Sequence, residues 1–100
     1  MKKIDEQYQQ AVDNKAQELL LKSIDELANM ASYGSTSSKV DQKEIQLGWW
    51  HYNFENGLHH IYFQAERRVM LVLHKKYLSG IKLEGGKVSL LSNDELSAYD

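Results

Sequence analysis

Cysteine and proline are both absent from this 100-residue chain. Without cysteine there are no disulfides, no thiolate metal ligands and no thiol nucleophiles. Burial must then hold the fold together, and a reducing, cytoplasmic setting is the expected one. With six glycines and no proline, no Pro-rich or Gly/Ser-rich tract is long enough to separate two cores. Residues 1–100 are therefore read as one domain.

A dominant charge is missing too. Twelve Lys and Arg stand against fourteen Asp and Glu, a formal net charge of −2, and apart from Lys2-Lys3, Arg67-Arg68 and Lys75-Lys76 the cations are dispersed. A nucleic-acid partner, which needs a dense basic face, is not expected. The longest apolar run, Val69 to Leu73, falls far short of the roughly 18 residues of a membrane span. Lys2-Lys3 leads into Ile4-Asp5-Glu6-Gln7 rather than an apolar segment, so neither a membrane partner nor an export signal is expected. No nucleophile elbow, P-loop, dinucleotide-type glycine pattern or zinc signature occurs, and no catalytic residue, metal or cofactor is assigned.

What is present is enough apolar material for a core, 42% hydrophobic against 26% charged residues, and two successive periodicities. Ile4, Tyr8, Val12, Ala16, Leu19, Leu20, Ile24, Leu27, Ala28 and Ala31 recur at steps of three and four. That spacing predicts one long amphipathic helix over about 4–33, ended by Gly34 in a left-handed cap. Gly34 to Ser38 has neither period nor apolar weight, and 34–43 reads as a loop. From Glu44 the period becomes two, and Asn56-Gly57 sits between aromatic, β-branched runs as a type I′ hairpin signal.

A two-residue turn at Asn56-Gly57 pairs Glu55 with Leu58, Phe54 with His59, Tyr52 with Ile61 and Trp50 with Phe63. Trp50, Tyr52, Phe54, His59, Ile61 and Phe63 then form the core face. Trp49, His51, Asn53, Leu58, His60, Tyr62 and Gln64 form the other. Arg68 to Leu73 reads as a central strand, apolar on both faces, or as part of a helix running from Ala65 to Tyr77; periodicity leaves 66–78 open between the two. Gly85-Gly86 predicts a second tight hairpin between Ile81–Glu84 and Lys87–Leu91. Ser92-Asn93-Asp94-Glu95 has capping-box spacing for a short helix over 93–99. The fold class is thus α+β: a long N-terminal helix packed on a four-stranded antiparallel meander over 44–91, then a short C-terminal helix.

The histidines, His51, His59, His60 and His74, all fall in the sheet half. His51 and His60 share the second face in this register, but two imidazoles rarely hold zinc without a third ligand. A turn at Glu66-Arg67 brings His59 opposite His74, with Arg67, Arg68 and Lys75 nearby, a nuclease-like arrangement in outline. The most informative feature is the second face itself, since Trp49, Leu58 and Tyr62 are too apolar to be left in water. Either the two helices divide the faces between them or something else covers this one. The candidate site is accordingly Trp49, His51, Leu58, His60 and Tyr62. The expected function is a non-enzymatic protein-binding module, an inhibitor, immunity or antitoxin-like accessory protein working as a homodimer or on another protein. A small apolar ligand held between helix and sheet is the alternative, and a His-dependent nuclease-like enzyme a third.

Overall fold

A computed structural model describes residues 2–100. Helices α1 (Lys2–Leu19) and α2 (Ile24–Ala28) precede five strands, β1 (Tyr33–Val40), β2 (Lys43–Asn53), β3 (His59–Arg68), β4 (His74–Glu84) and β5 (Lys87–Leu90). A short α3 (Asn93–Leu96) runs into a 3-10 turn, Ser97–Tyr99. The strands pair in sequence order, each antiparallel to the next, as one meander sheet. The α+β class and the antiparallel sheet are as expected, but the sheet has five strands rather than four. Among the described residues no helix is long and apolar enough to cross a membrane.

The long helix expected over about 4–33 breaks after Leu19. Leu20, Leu21 and Lys22 donate their amides three residues back, to Gln17, Glu18 and Leu19, which tightens and ends the helix. Ser23 then opens α2 by accepting from the Glu26 amide while the Glu26 carboxylate accepts from the Ser23 amide. This reciprocal cap satisfies two donors that a continuous helix would have bonded internally.

Gly34 is no helix cap but lies inside β1, and the expected loop 34–43 is mostly strand. Thr36, Ser37 and Ser38 lie opposite Leu47, Gln46 and Ile45 of β2. Hydroxyl residues fit here because β1 is an edge that needs little apolar weight. The Trp49 indole crosses Gly34 so closely that a Cβ there would lie 2.5 Å from the ring. β1 joins β2 through Asp41 and Gln42, both at positive φ (52° and 67°), a two-residue turn made without glycine.

The core lies between α1 and the sheet. Val12, Ala16 and Leu19 from α1 and Leu27 from α2 pack on Leu47, Ile61, Phe63, Ala65, Tyr77, Ile81 and Leu83. Asp5 fixes the start of α1 to the sheet, accepting from Arg67 (2.9 Å), Lys75 (2.8 Å) and the Tyr77 hydroxyl. These bonds, that from Lys75 foremost, hold its carboxyl well below the usual carboxylate range. Arg67 and Lys75 are thus tied to an internal acid.

The segment 66–78 is not a helix, and its apolar run is not the central strand expected over Arg68 to Leu73. β3 runs on through Arg68 and β4 begins at His74, so Val69–Leu73 is the connection between them. His59 faces Leu83 and His74 faces Arg68, which places the two histidines at opposite ends of β3 and removes the expected pairing. The Gly85-Gly86 hairpin forms as read, with Glu84 opposite Lys87 and both glycines at positive φ. The capping box at Ser92 and Glu95 is likewise present.

Candidate functional site

The five residues expected on one face are divided by the sheet. In the observed register Asn53 faces His59, His51 faces Ile61 and Trp49 faces Phe63, so odd-numbered residues meet odd-numbered ones. Asn56 and Gly57 do adopt positive φ (64° and 74°), as a type I′ turn requires, and the Leu58 amide points back at the Glu55 carbonyl. The difference is Phe54, whose amide donates to the Leu58 carbonyl (2.7 Å) while no β3 residue faces it. One extra residue on the β2 side slips the register by one and exchanges the faces of β2 relative to β3. Trp49 and His51 therefore lie on the α1 side with Ile61 and Phe63, His60 and Tyr62 lie on the far side, and Leu58 is half-buried in the turn.

On the far side the aromatics stack. Trp50 lies against Tyr62 (centroids 5.3 Å apart), Tyr62 against Tyr99 (4.3 Å), and Tyr99 against Tyr52 (5.4 Å), all near parallel. Phe54 meets His60 edge-on at 5.0 Å. Two glycines make this layer possible. A Cβ on Gly48 would lie 2.8 Å from the Trp50 ring, and one on Gly80, opposite Tyr62, would lie 2.7 Å from the Tyr62 Cα.

Tyr99 arrives on the C-terminal turn. Glu95, which caps α3, is also bonded to Lys82 (2.9 Å), and the Tyr99 hydroxyl is 2.7 Å from His60 Nδ1. The Ser92 amide, then Lys82, hold the Glu95 carboxyl down to about 2. Burial, with Tyr52 beside it, pushes the Tyr62 hydroxyl up to about 12, and burial lowers the His60 imidazole. The cover is partial. Tyr62 is 6% exposed, but Tyr52 (43%), Phe54 (44%) and Tyr33 (74%) remain open around it. Tyr33 lies opposite Trp50 in the register, so the open strip ends at the free edge of the sheet.

The α1 side holds a histidine pair that sequence reasoning placed on two different faces. His51 Nδ1 is 2.9 Å from the Met30 carbonyl, and its Nε2 is 2.8 Å from His59 Nδ1. A carbonyl only accepts, so His51 donates through Nδ1. In the neutral pair its Nε2 then accepts from His59, and the lone pair is left on His59 Nε2. Burial first, then the neighbouring His51, lowers the His59 pKa, which favours this uncharged chain. No buried side-chain nitrogen or oxygen among the described residues lacks a partner, so the remaining His59 nitrogen reaches solvent. The pair came together only through the register slip, and no local motif announces it.

Around Trp49 a cleft of about 180 Å³ opens between Leu19, Met30, Thr36 and Phe63. Pockets that enclose drug-sized ligands run from roughly 300 Å³ upward. A larger groove of about 440 Å³ lies between α1 and the C-terminal segment, with Gln9, Gln10 and Asp13 on one wall and Leu90, Leu91 and Leu96 on the other, so its lining is mixed rather than predominantly apolar. No group of three His, Cys, Asp or Glu side chains that could hold a metal occurs among the described residues. No family model, curated protein or solved structure matches the chain.

Proposed function

We propose that this chain is a non-enzymatic protein-binding module that acts through the aromatic strip Tyr33, Trp50, Tyr52 and Phe54, with a second copy of itself as first partner. The supporting observation is where the strip stops: Tyr33, the most exposed aromatic, stands on β1, an edge strand of the sheet. β1 is eight residues long, without proline and with Lys39 as its single charge. Edges left this open are templates for another strand. A copy pairing antiparallel along β1 doubles the five-stranded sheet and covers Tyr33. Such a scaffold fits an accessory protein of inhibitor, immunity or antitoxin kind, which works by occupying a surface, and the lack of cysteine fits a cytoplasmic one.

Light scattering on a sizing column across a range of concentrations tests this reading. The His51 backbone amide donates to the Ser32 carbonyl (2.8 Å), and alternation from there leaves the amides of Ser35 and Ser37 pointing outward. Wild type should have the mass of a dimer. Ser37→Pro, which removes an outward donor and spares the β1–β2 ladder, should have that of a monomer with an unchanged circular-dichroism spectrum. A wild-type monomer at every concentration contradicts the proposal.

A further inference from the structure

The longest apolar run of the sequence forms the exposed tip of the β3–β4 hairpin. Val69 and Met70 both donate their amides to the Leu73 carbonyl (3.0 and 3.3 Å), and Leu73 donates back to Met70 (3.3 Å), so the turn closes on its own backbone. Its side chains point outward: Val69 is 43% exposed, Met70 63%, Leu71 89%, Val72 85% and Leu73 52%. Five consecutive large apolar residues in water are not explained by the fold, since none of them belongs to the core cluster.

The strands carrying this tip are cationic. Arg67, Arg68, Lys75 and Lys76 stand directly below it, in a chain whose net charge is −2. Arg67 and Lys75 are answered by Asp5 on the α1 side, and Glu66 meets His74 (3.2 Å) on the other. Arg68 and Lys76 are exposed and form no ion pair among the described residues. Acids such as Glu55 and Glu84 lie at the opposite end of the strands. Basic charge is thus gathered around the apolar tip.

We infer that the Val69–Leu73 tip is a docking element for an anionic lipid surface, entering the headgroup region while Arg68 and Lys76 meet the phosphates. The tip is convex. A protein would need a matching apolar pocket to receive it, whereas a bilayer accepts a convex apolar wedge with no preformed shape. Insertion of a few apolar side chains and attraction of adjacent cations are each weak alone and together make reversible membrane binding. The expected absence of a membrane partner rested on the length needed to span, and a tip that lies in the interface has no such requirement. This docking uses the hairpin end rather than the β1 edge, and is independent of self-association.

Co-sedimentation of the full chain with vesicles tests the inference, comparing phosphatidylcholine alone with phosphatidylcholine mixed with phosphatidylglycerol. Wild type should bind the mixed vesicles and not the neutral ones. Leu71→Asp, at a fully exposed position that the fold does not use, should lower the partition coefficient by at least about tenfold. Arg68→Glu with Lys76→Glu should lower it by at least roughly fivefold per cation and flatten its salt dependence. Equal sedimentation with both lipids, none with either, or no loss in Leu71→Asp overturns the inference. So does a solution mass that falls in Leu71→Asp while vesicles bind nothing, which would make the tip a protein interface. Ser37→Pro should bind vesicles through an intact tip, and that separates this failure from failure of the dimer reading.

Discussion

The two faces of the sheet are closed by different means. The α1 face is mainly aliphatic, with Leu47, Ile61 and Ile81 fully buried under an 18-residue helix and Phe63 and Tyr77 among them. The far face is aromatic and is closed only by the short turn that carries Tyr99, which leaves Tyr33, Tyr52 and Phe54 in water. The two faces divide the labour. Shape-matched aliphatic packing supplies stability, while flat rings on a stiff sheet can be partly covered or uncovered at small cost.

The sharpest test of that division is a pair of truncations. Ile81→Ala on the α1 face should cost about 3 kcal/mol in a denaturant melt, because a fully buried side chain leaves a cavity. Tyr52→Ala on the strip should cost less than about 1 kcal/mol and show instead as weaker association. Equal costs would erase the distinction between the faces.

Tyr99→Ala probes the partial cover and should cost about 2 kcal/mol, since it removes the ring stacked on Tyr62 and the partner of His60. The more specific readout is the phenol titration followed by ultraviolet absorbance. Tyr62 is held up to about 12 mainly by burial, so uncovering it should bring its titration back toward the ordinary tyrosine range. An unmoved titration would mean that the C-terminal turn does not cover this face.

Mild acid should act on both faces together. His59 on one and His60 on the other have pKa values lowered in the fold, chiefly by burial. The unfolded chain therefore binds more protons than the native one as pH falls below the ordinary histidine value. Their contribution is fully present above about 6.5 and is lost as pH falls through the folded values. A second loss should follow at lower pH, as Glu95, held down to about 2, and Asp5 are protonated. Midpoints of urea unfolding between about pH 7 and pH 5 check the sign. His60→Asn should flatten the first window by removing the far-face share, and a midpoint that rises on acidification would contradict the assignment.

The smallest expected effect lies at the β1–β2 turn. Gln42 has a positive φ of 67°, which costs a side-chain-bearing residue more than glycine. Gln42→Gly should raise the melting temperature by a few degrees, about 0.5 kcal/mol, with no change on either face.

The elements legible in the sequence are those with a local signal. The Gly85-Gly86 turn and the Ser92–Glu95 cap are formed within three or four residues and appear as read. The same cap spacing occurs at Ser23–Glu26, but an apolar period runs straight through it, so one helix was expected where there are two. The expected site failed for a non-local reason. Asn56 and Gly57 have the backbone of the expected turn, yet one added residue, Phe54, exchanges the face of every β2 side chain relative to β3. Trp49 and Tyr62 thereby part, and His51 and His59 meet. β1 was invisible because hydroxyl residues on an edge strand carry no apolar period. Val69–Leu73 misled because an exposed apolar tip has the composition of a buried strand.

Amide hydrogen exchange resolved by residue reads the free edge of β1. The amides of Thr36 and Ser38 face β2, while those of Ser35 and Ser37 face outward. Self-association along β1 predicts that the Ser35 and Ser37 amides gain protection as protein concentration rises, with Thr36 and Ser38 protected throughout. Fast exchange of Ser35 and Ser37 at every concentration would contradict it.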